Sequence, residues 1–174
     1  MPASRSPANE SLATLLAVDL GLRSGLALYR RDGRLLWYRS TNFGSVRRLK
    51  SALAGILDPI ENLKFVILEG GGQLAEIWQR ECTRRALSCQ TIAAESWRQR
   101  LLVPRQYQDA KQAKQHAGEL ARAVIDCLAL KQPTSLRHDA SEAVLVGLYA
   151  LIEANWQDAD RLTAISRLLP PQVS

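Results

Sequence analysis

The 174-residue sequence has no long apolar run. The longest, residues 143 to 152, is ten residues, whereas a membrane-spanning helix needs about 20. Residues 1 to 9 are polar and rich in Pro and Ser, with no apolar stretch of the kind that forms a secretory signal. The expectation is a chain of the bacterial cytoplasm or an organelle interior, not secreted and with no membrane partner. Cysteine is scarce: Cys82, Cys89 and Cys127, an odd number with no CxxC spacing. That argues against a disulfide framework or a zinc site and fits reduced thiols. Acids are fewer than bases, 17 against 23, which leaves a net charge of +6. A basic balance of this size points towards a polyanionic partner. Internal repeats and low-complexity tracts are absent, and a composition of 47% hydrophobic and 23% charged residues excludes wholesale disorder and collagen-like structure.

What is present suits one globular domain. At this length about 70% of the unfolded surface can be buried. Flexible tails are expected at 1–12 and 169–174, flanking a domain over 13–168. The charge is uneven. Between Leu20 and Lys50 stand eight basic residues (Arg23, Arg30, Arg31, Arg34, Arg39, Arg47, Arg48, Lys50) and one acid, Asp32. A second basic stretch runs from Arg80 to Lys114.

Apolar periodicity predicts the elements. Strands are expected over 15–20, 26–30 and 34–40, joined by a glycine turn at 21–25 and an Asp32-Gly33 hairpin turn. A helix over 45–57 stops before Pro59, a strand over 65–69 breaks at Gly70-Gly71-Gly72, and a helix over 73–87 leads to a strand over 88–94. A short helix over 96–101, a long one over 109–130, another over 138–155 and a last turn or two over 162–169 complete the chain. The fold class is α/β: a mixed five-stranded sheet, three strands in an antiparallel meander and two joined in parallel by crossovers, with helices on both faces.

Two acids end apolar strands, and two more open an apolar helix. Asp19 closes the apolar strand LLAVDL, and Glu69 closes FVILE. A carboxylate there costs several kcal/mol unless it is compensated. Asp19 can also serve as a turn residue. If the two strands are parallel neighbours, both acids meet at the sheet edge where α/β folds place ligands. Asp139 and Glu142 are three apart in the first turn of a helix with Ala140, Ala143, Val144 and Gly147 around them. They can favour the helix dipole or, with that small apolar face on the sheet, approach the same edge. Four converging carboxylates repel, and a hard divalent cation such as Mg²⁺ relieves the repulsion. Two such ions activate a water and stabilise the leaving oxygen of a phosphodiester. The basic stretches suit phosphate contacts, so phosphodiester hydrolysis is the reaction class that uses all of these features.

These residues resemble a known family. AVDLGLRSGLAL is similar to the opening D-x-G-x-x-x-G of the RuvC-type Holliday junction resolvases, in the RNase H-like nuclease superfamily. FVILEGG resembles that family's second acidic motif, and HDASEAVLVGLYAL its closing D-x-x-[DE]-A helix. The resemblance spans roughly residues 14–153. It implies an RNase H-like nuclease domain and a homodimer that nicks two symmetrically placed strands of a four-way DNA junction. Asp19, Glu69, Asp139 and Glu142 are then the catalytic acids and ligands of Mg²⁺ or Mn²⁺, two ions per site. It also implies a basic residue on the long helix, for which Lys114 is preferred and Lys111 is close behind. Arg23 and Ser24, after the first acid, become candidate phosphate contacts, with Ser24 equally able to cap its own turn. His138 is a first-turn residue, a group behind the ligands, or a metal ligand itself. Gly70, Gly71 and Gly72 stand where bacterial members often carry a base-stacking aromatic, and Trp78 further on suits the core better. Trp97 and Tyr107 flank a loop with Arg98, Arg100 and Arg105 that can stack on bases and bind backbone, or Trp97 can seal the core.

Three other readings compete. One is an RNase H-like nuclease acting on other branched DNA or on RNA. Another is a non-catalytic junction-binding protein, against which the presence of all four acids argues. The third is a sugar-kinase-like or ATP-binding module, which also opens on an acid, a glycine turn and a hairpin. It needs a second domain and an adenosine motif, for which 174 residues leave no room.

Overall fold

The computed structural model describes residues 12–128, 136–156 and 158–170. Most of both expected tails, and the last two residues of the expected long helix, lie outside the described residues. Five strands, β1 (Thr14–Asp19), β2 (Arg23–Arg30), β3 (Leu35–Asn42), β4 (Leu63–Glu69) and β5 (Ser88–Ile92), form one sheet in the order β3-β2-β1-β4-β5. β1 pairs antiparallel with β2, and β2 with β3, while β1–β4 and β4–β5 are parallel. This is the expected mixed sheet, three strands antiparallel and two joined in parallel. The helices are α1 (Val46–Leu57), α2 (Gly72–Arg84), α3 (Ala94–Leu101), α4 (Ala110–Cys127), α5 (His138–Glu153) and α6 (Ala159–Ser166), with a 3₁₀ turn at Pro104–Gln106. No helix among the described residues is long and apolar enough to cross a membrane.

Strand alternation divides the core into two layers. Leu16, Val18, Leu26, Leu28, Val66 and Leu68 face α1 and α2. Leu15, Ala17, Ala27, Tyr29 and Ile67 face α4 and α5. Residues 19 and 69 continue the 15-17 and 65-67 rows, so the same periodicity delivers both acids to the α5 side.

α5 is buried almost all round between the sheet and α4, as its small apolar sequence demands. Two glycines set its height. A Cβ on Gly147 would come within 2.3 Å of the Tyr29 ring, and one on Gly25 within 1.8 Å of the Asp139 carbonyl oxygen. The buried Tyr29 hydroxyl donates to the Val144 carbonyl at 2.7 Å, which locks the helix axially on β2. That hydrogen bond contributes about 1 kcal/mol. Other helix starts follow their caps: the Ser45 hydroxyl accepts from the Arg48 amide at 3.3 Å, and the Asp109 carboxylate from the amides of Lys111 and Gln112 at 3.0 Å each.

Several boundaries move from expectation. β2 begins at Arg23, not residue 26, because Arg23, Ser24 and Gly25 pair with Asn42, Thr41 and Ser40. α2 ends at Arg84, three residues early, because Ala86 turns left-handed at φ 53° and the Leu87 amide bonds back to the Cys82 carbonyl at 2.9 Å. β5 stops at Ile92, where the backbone enters α3.

Candidate active site

Asp19 and Glu69 are direct partners in the parallel β1–β4 ladder. Glu142, one turn into α5, hangs over them. One carboxylate oxygen from each of Asp19, Glu69 and Glu142 lies within 4.8 Å of the other two. Glu142 is 9% exposed, and the two strand acids are half-buried.

The site's electrostatics follow from this crowding. Burial, then the negative charges of Glu142, Glu69 and Asp139, push the Asp19 carboxyl up from 3.8 to about 8. Glu69 is raised too, first by burial and then by Glu142, with Arg98 and the Trp97 N–H pulling the other way. Burial alone would raise Glu142, yet His138 and Arg98 outweigh it and hold it below the ordinary value. His138 Nε2 is 3.4 Å and Arg98 Nη2 3.3 Å from the Glu142 oxygens. The Arg98 guanidinium lies 5.2 Å from the centre of the Trp97 ring. A polar atom is left over: Glu69 Oε2 is buried without a hydrogen bond of ordinary geometry among the described residues, and the Trp97 N–H that favours the Glu69 charge falls short of one as well.

A cation fits this set. All donors are hard oxygens, the Glu69 oxygen is unpartnered, and the proton that Asp19 retains is one a divalent charge would displace. These three carboxylates could hold a metal ion.

Asp139 departs from the expected four-acid convergence. It is not one of the three clustered acids: its carboxylate accepts a hydrogen bond from the Ser40 hydroxyl on β3. The backbone explains the split. The Asp139 carbonyl rests on Gly25 of β2, so residue 139 sits over β2 and β3 while Glu142, one turn on, reaches β1 and β4. Its charge still acts on Asp19.

The remaining candidates divide. Lys114 lines an open groove with His138, Ser141, Gly118 and Arg122 beside the first turn of α5; Lys111 is exposed on α4 and is not among that groove's lining residues. Arg23 is exposed at the start of β2, and Arg105 is exposed in the 3₁₀ turn. Ser24 requires a correction: it is fully buried and its hydroxyl donates to the Gly21 carbonyl at 2.7 Å, so it caps its turn and offers nothing to a phosphate. Arg98 points at Glu142 instead of outward. Trp97 is fully buried, which excludes stacking on a base, and Tyr107 packs partly against the same core. Trp78 is a core residue, as its position predicts. Ser40 went unrecognised in the sequence; its signal is the β2–β3 register, which a bulge obscures.

Comparison with solved structures bears on the fold. The fowlpox virus resolvase, determined with its substrate Holliday junction DNA, superposes with a TM-score of 0.56 at 14% identity, covering 81% of this chain and 98% of that one. The two proteins share a fold. A ROK family protein from Streptococcus pneumoniae TIGR4, determined with sucrose, matches 48% of this chain and 35% of its own at 14% identity, with a TM-score of only 0.40. No protein-family model matches the chain, and no curated protein does.

Proposed function

We propose that the protein is a metal-dependent endonuclease of the RuvC type that resolves four-way DNA junctions by paired symmetric nicks. The observation that carries this reading is the Asp19, Glu69 and Glu142 cluster at the C-terminal edge of a resolvase-like sheet, with an unpartnered Glu69 oxygen inside it. Support for the substrate comes from the fold shared with a viral resolvase whose structure holds a Holliday junction.

In this reading Asp19, Glu69 and Glu142, with Asp139 alongside, hold Mg²⁺ or Mn²⁺, two ions per site. Bound divalent ions supply Lewis acidity for the attacking water and the leaving oxygen. The chain's own residues do the rest. Arg98 and His138 keep Glu142 ionised among like charges, so a ligand oxygen is ready before the cation arrives. Ser40 fixes the Asp139 carboxylate over β2 and β3. Lys114, beside the first turn of α5, supplies positive charge to a phosphate that gains negative charge in the transition state. Arg23 and Arg105 contact backbone phosphates from the rim, with Lys111 further along α4. A homodimer places two such sites on one junction.

The test is a substrate comparison: labelled four-way junction, linear duplex and single-strand flap, each with Mg²⁺, Mn²⁺ or EDTA. Metal-dependent nicking of the junction alone, absent in Asp19→Asn, is the expected result. Cutting of the flap or the linear duplex with the junction untouched would overturn the substrate and move the chain to another RNase H-like nuclease.

A further inference from the structure

Residues 33 to 57 contain no Asp or Glu, yet they include Arg34, Arg39, Arg47, Arg48 and Lys50. In the fold these residues run along the edge strand β3 and into the first turns of α1. The chain treats its two basic stretches differently. In the second, Arg80 pairs with Glu76, Arg84 with Glu81, Arg85 with Asp58 and Glu81, Arg98 with Glu142, and Arg100 with Glu153, so five of its eight bases are paired and only Arg105, Lys111 and Lys114 make no ion pair among the described residues. In the first, Arg30 pairs with Asp32, but among the described residues Arg39, Arg47, Arg48 and Lys50 make no ion pair.

Four features set this corner apart from a merely solvated face. Arg39 is exposed, and its guanidinium lies 4.8 Å from the centre of the Trp37 ring. It is thereby pre-positioned with its hydrogen-bonding edge free. Arg47 and Arg48 occupy the first turn of α1, where the helix dipole disfavours cations, and no acid there offsets them. Arg48 folds back over the β3–α1 turn: a Cβ on Gly44 would sit 3.6 Å from its Nη1. The corner also adjoins the acid cluster. Asn42, where β3 ends, pairs with Arg23, and two steps along the same ladder Ser40 pairs with Gly25, the register partner of Asp19.

We infer that the β3–α1 corner is a second nucleic-acid surface, on which Arg39, Arg47, Arg48 and Lys50 track the phosphates of one duplex arm leading away from the acid cluster. This rests on the nuclease reading and adds to it where an arm lies. Phosphate contacts of this kind are indifferent to sequence and release counterions.

The test uses the full chain and a four-way junction in EDTA, so that nothing is cut, with binding measured across a salt series. The triple variant Arg39→Ala, Arg47→Ala, Arg48→Ala should bind the junction on the order of tenfold more weakly, and the log–log salt slope should fall by roughly 0.9 for each phosphate no longer neutralised. Arg80→Ala, which removes an ion-paired arginine, should change neither. A triple variant that keeps wild-type affinity and slope, or a control that weakens binding as much per charge, overturns the inference while leaving the nuclease reading intact. Wild-type protein that binds no junction overturns both. Folding of the variant is checked by its divalent-metal thermal shift, which should match wild type.

Discussion

Replacing Asp19 by Asn changes the charge at the centre of the cluster and almost nothing of its shape. In the metal-free protein the Asp19 carboxyl is pushed from 3.8 to about 8. A raised value means that the folded state keeps a proton the unfolded chain has released. Stability therefore falls as pH rises from about 4 to about 8, and the contribution is fully present only below that window. At about 1.36 kcal/mol per unit, the ceiling is about 5 to 6 kcal/mol, and water reaching the half-buried carboxylates screens it to about 2 to 3 kcal/mol. Glu69, raised by the same burial, acts in the same direction. Asp32 and Glu81 are held below their ordinary values, so their contributions are lost only in more acid solution. Metal-free Asp19→Asn should match wild type near pH 4 and exceed it by about 2 to 3 kcal/mol at pH 8. Urea unfolding at a series of pH values measures this. With Mg²⁺ or Mn²⁺ at pH 7 the order should reverse, because wild type gains stability by binding and releases about one proton per site. Wild-type stability that is flat from pH 5 to 8, with an Asn variant no more stable at pH 8, would refute the crowded-carboxylate description.

Two further substitutions probe how the fold holds the site. Gly25→Ala drives a methyl against the Asp139 carbonyl at the first turn of α5. It should cost about 1 to 3 kcal/mol and weaken metal binding further by lifting Glu142 away from Asp19, as read by calorimetric titration with Mn²⁺. Ser40→Ala releases the Asp139 carboxylate. Stability should change by less than about 1.5 kcal/mol, Mn²⁺ affinity should fall, and Ser40→Thr should restore it; unchanged affinity in Ser40→Ala would remove Ser40 from the site.

Strand alternation made the acids legible. Asp19 and Glu69 each end an apolar run, and period-two alternation carries both to one face. The small residues of α5 announced a helix lying close on the sheet, and Gly25 and Gly147 supply the contact. The sheet class followed from two tight turns followed by two helical crossovers. What the sequence hid was lateral register. A bulge between the Leu28 and Tyr29 pairings shifts β3 by one residue. Counted from the hairpin turn without it, Arg39 would face Gly25; with it, Ser40 does, and Asp139 is drawn off the cluster. Ser24 resembled a phosphate ligand because it follows an acid and a glycine, but β2 starts earlier than its apolar residues suggest and buries it. Arg98 lies in a basic stretch, and only the packing of α3 against α5 turns it towards Glu142.

The most direct test of the central claim is single-turnover cleavage of a four-way DNA junction with each of the four strands labelled in turn. With Mg²⁺ or Mn²⁺ the wild-type protein should nick two strands at symmetry-related positions, and Asp19→Asn and Glu69→Gln should bind the junction without nicking it. Wild-type protein that binds the junction tightly but leaves all four strands intact in both metals would contradict the catalytic reading and leave a junction-binding protein in its place.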